Sequence, residues 1–404
     1  MPGDADDTNY DEATVADHPL PDPLTFPGGE SVATALAWFE QRRPTILELF
    51  DTQVFGRSPG RPAGLSVKLV TEDGCALGGT AIRREAEIAF GTNVPRLHLL
   101  IYLPRGAARS APVMLGPNFL GNHSVHPDPE IRLPEISFVS GMDVALAEGR
   151  ATEASRGFHS ARWPIERILA RGYAVATFYY GDLFPDRADG RALSIQPHFD
   201  NGGAPRLSWG AIAAWSWAMC RALDALESMP DIDAGRVALI GHSRHGKAAL
   251  WAGAMDSRFA VVIANNSGKG GASIMRRNFG ETIRHLTTRY PHWFAEAYAQ
   301  YAGRETALPV DQHMLIALQA PRPVYIASAA DDLWADPKGE FLGALNASPV
   351  YRLLGPDGLA ANEMPGIDQP VMGTIGYHIR SGGHGVTAWD WERFLDFADR
   401  HMAS

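Results

Sequence analysis

The amino-acid sequence predicts an α/β protein, with a mostly parallel central sheet and helices on both faces. Three features carry this. The strand-like runs are apolar throughout rather than alternating, as strands covered on both sides are, and from residue 97 onward they alternate with stretches of helical spacing. The third is bulk: 404 residues, 45% hydrophobic and 20% charged, supply a sizeable core and exclude disorder of the whole.

Taken in order, residues 1–30 are acidic and proline-rich, with Asp4, Asp6, Asp7, Asp11 and Glu12, and read as a flexible arm. Residues 31–404 read as one domain. Leu97 to Leu103 and Ala111 to Gly116 are short apolar runs bounded by Pro and Gly, expected to form neighbouring strands. Ile165, Ile168 and Leu169 share a helix face between Trp163 and Arg171; Gly172 ends that helix and Tyr173 to Tyr180 follows as a buried strand. The alternation continues with a helix from Trp209 to Met229, a strand from Arg236 to Gly241 and a helix from Arg244 to Met255. Strands at Phe259 to Ala264, Val324 to Ser328 and Ile375 to Ile379 come next, then a closing helix from Trp389 to His401. About 271–321 has helical but no strand-like patterning and reads as an inserted helical region that walls a pocket.

Composition narrows the function. Lys and Arg number 36 against 46 Asp and Glu, a formal charge of -10 that repels a phosphate backbone, so no nucleic-acid partner is expected. Cys75 and Cys220 are too few for a disulfide framework or a thiolate metal site, and the 14 His show no ligand spacing, so neither metal nor cofactor is expected. No run is long and apolar enough to span a membrane, and Met1 to Pro23 has neither the basic n-region nor the apolar h-region of a leader. A soluble chain follows, cytoplasmic as given or secreted if a leader was removed, and a monomer is expected.

The chemistry concentrates at Gly241-His242-Ser243-Arg244-His245-Gly246-Lys247. A serine at a sharp turn between a buried strand and a helix exposes its hydroxyl above the sheet edge, beside helix N–H groups that can hold an oxyanion: a nucleophile elbow. The last glycine stands one place later than in Gly-x-Ser-x-Gly, so on spacing alone a strand-to-helix turn with a capping serine stays open. An acid and a histidine follow in the order that α/β-hydrolases use. Asp331 and Asp332 come after one strand, and His384, flanked by glycines, after another; His378 competes but lies within its strand.

With these residues placed, the chain from about Phe55 to the C-terminus resembles the glucuronoyl esterase family of carbohydrate esterases. The likeness rests on Gly241 to Lys247 against Gly-Cys-Ser-Arg-x-Gly-Lys, on Ser267-Gly268-Lys269-Gly270-Gly271, on Asn278 to Thr282, on Asp332 to Phe341 and on His384-Gly385. The resemblance implies an α/β-hydrolase fold and cleavage of the ester joining (4-O-methyl-)glucuronic acid on glucuronoxylan to a lignin alcohol. It implies Ser243 as nucleophile, His384 as base, Arg244 as an oxyanion ligand, and Lys247, Glu281 and Trp334 as sugar contacts, with His292, Trp293 and Phe294 as a further aromatic wall. Two positions depart from the pattern. Asn266 stands where many members carry the catalytic Glu, which passes the acid role to Asp332 and leaves Asn266 with none. His242 stands where the family often has Cys.

Two other functions stay in view: an acetyl- or feruloyl-xylan esterase, and a carbohydrate-binding protein on a retired hydrolase fold. Retention of Ser243, Asp332 and His384 in chain order argues against the second. Lys247, Glu281 and Trp334 argue against the first, because a small acyl group needs no such array.

Overall fold

Alternate residues of the central strands enter two separate apolar layers, and that division builds the fold. Leu239 packs with the larger layer and its neighbour Ile240 with the smaller one on the opposite face. The computed structural model describes residues 8–106, 109–134, 150–199 and 208–403. Among these, ten strands form one sheet: β1 (Ser66–Cys75), β2 (Ala81–Ala89), β3 (Leu97–Pro104), β4 (Ala111–Asn118), β5 (Ala174–Tyr179), β6 (Ile232–His242), β7 (Val261–Asn265), β8 (Val324–Ala329), β9 (Val371–Met372) and β10 (Ile375–Arg380). Their order is β1-β2-β3-β5-β4-β6-β7-β8-β10-β9. The run from β5 to β10 is parallel; β1, β2, β3 and β9 join antiparallel.

One expectation is corrected. β3 and β4 are not neighbours, because β5 pairs antiparallel with β3 and parallel with β4 and so lies between them. The helical crossover α2 (Ile165–Ala170) that leads into β5 makes this insertion possible. Sequence patterning also left out β1 and β2: β1 is a largely exposed edge strand rich in charge, and β2 alternates in burial.

The larger layer holds α1 (Arg43–Phe50), α3 (Ala211–Leu226), α4 (Arg244–Met255), α6 (Gln312–Ala317) and α7 (Pro337–Leu354) against the sheet. The opposite face holds α2 and α8 (Ala388–Met402), with Trp163, Trp391 and Phe394 between them and the strands. Between β7 and β8 the inserted region carries α5 (Ile283–Arg289), several 3-10 turns and α6, and no strand. It is tied to the N-terminus of α3: the N–H groups of Ala211 and Ile212 donate to the carbonyls of His292 and Trp293 at 2.8 and 3.0 Å. The first seven residues of the acidic arm lie outside the described residues. The rest of the arm lies against the inserted region, where Tyr10 meets Phe279 edge-on and Glu12 pairs with Arg277 and Lys338. Cys75 and Cys220 are both free thiols, the second buried within α3.

Candidate active site

The strands β4 to β8 deliver their C-terminal ends to one edge of the sheet, where α/β folds place their ligands. At that edge β6 passes into α4 through Ser243, whose φ of 59° and ψ of -127° put a non-glycine residue in a strained conformation. Gly241 makes the turn possible, since a Cβ there would lie 1.9 Å from the carbonyl oxygen of His245. The late glycine also has a reason. Gly246 is where the helix meets the next loop, a Cβ there falling 2.8 Å from Cβ of Ser267. The His245 side chain points instead into a ring cluster, stacked on Phe119 with centroids 4.1 Å apart and edge-on to Tyr180. Burial there pushes its imidazole well below the ordinary histidine range and keeps it neutral.

A hydrogen-bond chain starts from the serine. Oγ of Ser243 lies 2.9 Å from Nε2 of His384, and Nδ1 of His384 lies 2.7 Å from Oδ2 of Asp332. The competing histidine is occupied elsewhere: His378 is fully buried between Asp390 and the Tyr325 hydroxyl. The nearby Asp336 is buried against Lys269 and Arg277. Burial pushes the Asp332 carboxyl up, but the hydrogen bond and charge of His384 and the amide of Asn266 outweigh it and hold the group below its usual range. Asn266 is therefore no bystander: its Nδ2 donates to Oδ2 of Asp332 at 2.8 Å. Beneath them sits a second acid that the sequence did not single out, Glu340, bonded to Ser328, Ser267 and the N–H of Gly268. His242, in the family's Cys position, packs its ring 4.6 Å from that of His384 and bonds Asn265 through Nδ1 at 2.6 Å.

Arg244 turns its guanidinium inward over Trp293, 4.9 Å from the ring centroid, and pairs with Asp186. Asp186 also accepts from Nε2 of His292 and Nε1 of Trp293, both at 2.7 Å, and from the Tyr180 hydroxyl at 3.1 Å. Burial raises its carboxyl, but His292, the Arg244 charge and Trp293 hold it well below the ordinary range. Asp186 follows β5 at the ligand edge of the sheet, the one signal that could have found it in the sequence. Trp293 and Phe294 do not form an open aromatic wall, since both are buried.

The expected sugar contacts gather in one cluster. Nζ of Lys247 is buried and reaches the carbonyl oxygens of Ser267 at 2.8 Å and Lys269 at 2.5 Å and Oε2 of Glu281 at 3.2 Å. Its three protons are thereby all engaged, so Lys247 braces Glu281 and the loop after β7. Glu281 accepts from Nε1 of the partly exposed Trp334 at 3.2 Å, and Trp334 packs against His285 and Arg289. No group of three or more His, Cys, Asp or Glu suited to a metal occurs among the described residues. Nor is any described helix long and apolar enough to cross a membrane.

Fold, elbow and hydrogen-bond chain together define the class: a carboxylic ester hydrolase on an α/β-hydrolase sheet. A family model described as glucuronyl esterase, fungi, matches residues 166–355. Carbohydrate esterase MZ0003, from an unknown prokaryotic organism, is 47% identical over 399 residues, which cover 98% of this chain and 92% of that protein. The solved glucuronoyl esterase from Solibacter usitatus superposes with a TM-score of 0.91 at 46% identity, covering 96% of this chain and 100% of that one. The 4-O-methyl-glucuronoyl methylesterase of Schizophyllum commune is 28% identical across 83% of this chain and 74% of its own length. The chain belongs to the glucuronoyl esterases of carbohydrate esterase family 15.

Proposed function

We propose that the chain hydrolyses the ester between the carboxyl of (4-O-methyl-)glucuronic acid on glucuronoxylan and a lignin alcohol, with Ser243, His384 and Asp332 as nucleophile, base and orienting acid. The observation that carries this is the unbroken chain from Oγ of Ser243 through His384 to Asp332, beside the Lys247, Glu281 and Trp334 cluster. Nε2 of His384 takes the Ser243 proton as Oγ attacks the ester carbon. The imidazolium then gives that proton to the departing alkoxide, which leaves a glucuronoyl ester on Ser243. Water, deprotonated by the same nitrogen, attacks that ester, and the imidazolium returns the proton to Oγ of Ser243 as glucuronate is released.

Negative charge on the carbonyl oxygen faces the first N–H groups of α4, which have no partner within the helix. Arg244 begins α4 directly after Ser243 and keeps its guanidinium partly exposed, which supports its role as a further oxyanion donor. A donor of this kind contributes about 3 to 4 kcal/mol. Glu281 meets the sugar hydroxyls and Trp334 offers a partly exposed ring to the C–H face, while Lys247 acts through Glu281.

Comparing benzyl glucuronate with an aryl acetate tests the reading. The glucuronate ester is expected to have the higher kcat/KM, and the reverse ranking would favour an acetyl esterase.

A further inference from the structure

Asp186 lies outside the hydrogen-bond chain of the serine, yet it is among the most fully bonded carboxylates in the protein. Oδ1 accepts from His292 and Trp293, and Oδ2 accepts from Tyr180 and Arg244. Four donors for about four lone-pair sites leave it no freedom to rotate. The groups it gathers come from distant parts of the chain: Tyr180 from the end of β5, Arg244 from the first turn of α4, and His292 and Trp293 from the inserted region. Above it the Arg244 guanidinium rests on a rigid aromatic platform, because Trp293 is stacked on Tyr290 with centroids 3.8 Å apart and planes within 6°.

A buried guanidinium without a counter-charge costs several kcal/mol, so an arginine in this place needs a fixed anion. Asp186 supplies that anion through a bond to Nη1. With Nη1 held by the carboxylate and the plane set by Trp293, the guanidinium keeps one orientation while its side chain stays partly exposed. We propose that Asp186 is the positioning residue for Arg244, fixing the orientation of the guanidinium so that its exposed edge is presented to the developing oxyanion. The same contacts make the inserted region part of the catalytic apparatus: His292 and Trp293 hold the anchor that holds the arginine. This rests on the reading of Arg244 as an oxyanion donor.

The oxyanion forms with any ester, so the test uses both benzyl glucuronate and an aryl acetate, with Asp186→Asn, Arg244→Ala and the double variant. Asp186→Asn is expected to lower kcat at least about tenfold on both substrates with KM changed less than about threefold, the pattern of an interaction made only in the transition state. In the Arg244→Ala background the same change is expected to have less than about a twofold effect, because the anchor then has nothing to position. Should Asp186→Asn fail to fold, Asp186→Glu keeps the charge but displaces it by one methylene, and the same Arg244-dependent loss of kcat is expected. Retention of kcat in the Asp186 variants while Arg244→Ala loses it, or losses that multiply independently in the double variant, would overturn the proposal. Full activity of Arg244→Ala would overturn the oxyanion reading beneath it, which is a distinguishable result.

Discussion

Replacing Asp332 by Asn probes the chain at its least conventional point. In the intact site Oδ2 of Asp332 accepts from Nδ1 of His384 at 2.7 Å and from Nδ2 of Asn266 at 2.8 Å, so Nδ1 carries the proton and Nε2 is free to take that of Ser243. An amide at position 332 has two orientations. With its NH2 toward His384 it faces two donors, Asn266 included, and drives the imidazole to the tautomer whose Nε2 already bears a proton. With its oxygen toward His384 it keeps the tautomer but has no charge to stabilise the imidazolium. Either way the loss falls on the transition state, and a triad aspartate changed to its amide costs about 10⁴-fold in kcat, or about 5.4 kcal/mol. Asn266→Ala removes one hydrogen bond to the same carboxylate and should cost about 10- to 100-fold, the equivalent of about 1.5 to 3 kcal/mol for a bond to a charged group. Steady-state kinetics on benzyl glucuronate, with thermal melts to confirm folding, measure both. Near-full activity of a folded Asp332→Asn protein would refute the assignment, and Asp331→Asn would then be the next acid to change.

Glu281→Gln should raise KM for benzyl glucuronate about tenfold and leave an aryl acetate nearly unchanged, as only the former presents sugar hydroxyls; equal effects on both would make Glu281 structural. Burial pushes the Glu340 carboxyl up to about 7, although bonds from Ser328 and Gly268 oppose it. Its folded value thus lies above the unfolded one, so its contribution is full below the unfolded value of 4.5 and lost as pH rises to about 7, a cost of about 3 kcal/mol. Urea midpoints at pH 5 and pH 7.5 should therefore fall more for the parent than for Glu340→Gln, and parallel falls would contradict this.

The sequence revealed most where one physical requirement dominates. Apolar runs such as Phe259 to Ala264 must be buried on both faces and so announce a parallel sheet, and α4 shows its start at Arg244 and its end at Met255. The order of strands was less legible, since nothing in β3 and β4 says that a later strand will enter between them. The meeting of Ser243 and His384 was legible because an exposed elbow serine and a glycine-flanked histidine both fall at the ligand edge of the sheet. Asp186 was not, as its meaning lies in partners from three distant segments. Lys247 was half legible: its helical turn from Ser243 placed it beside the site, but only the carbonyls of Ser267 and Lys269 reveal that its protons are spent inside the protein.

The central claim is that Ser243 carries the glucuronoyl group between two half-reactions. Acid quenching during turnover of an activated aryl ester of glucuronic acid, whose good leaving group makes deacylation limiting, followed by peptide mass spectrometry, tests it most directly. One glucuronoyl group is expected on the peptide containing Ser243 and none in Ser243→Ala. A label on any other residue, or turnover by Ser243→Ala at the parent rate, would contradict it.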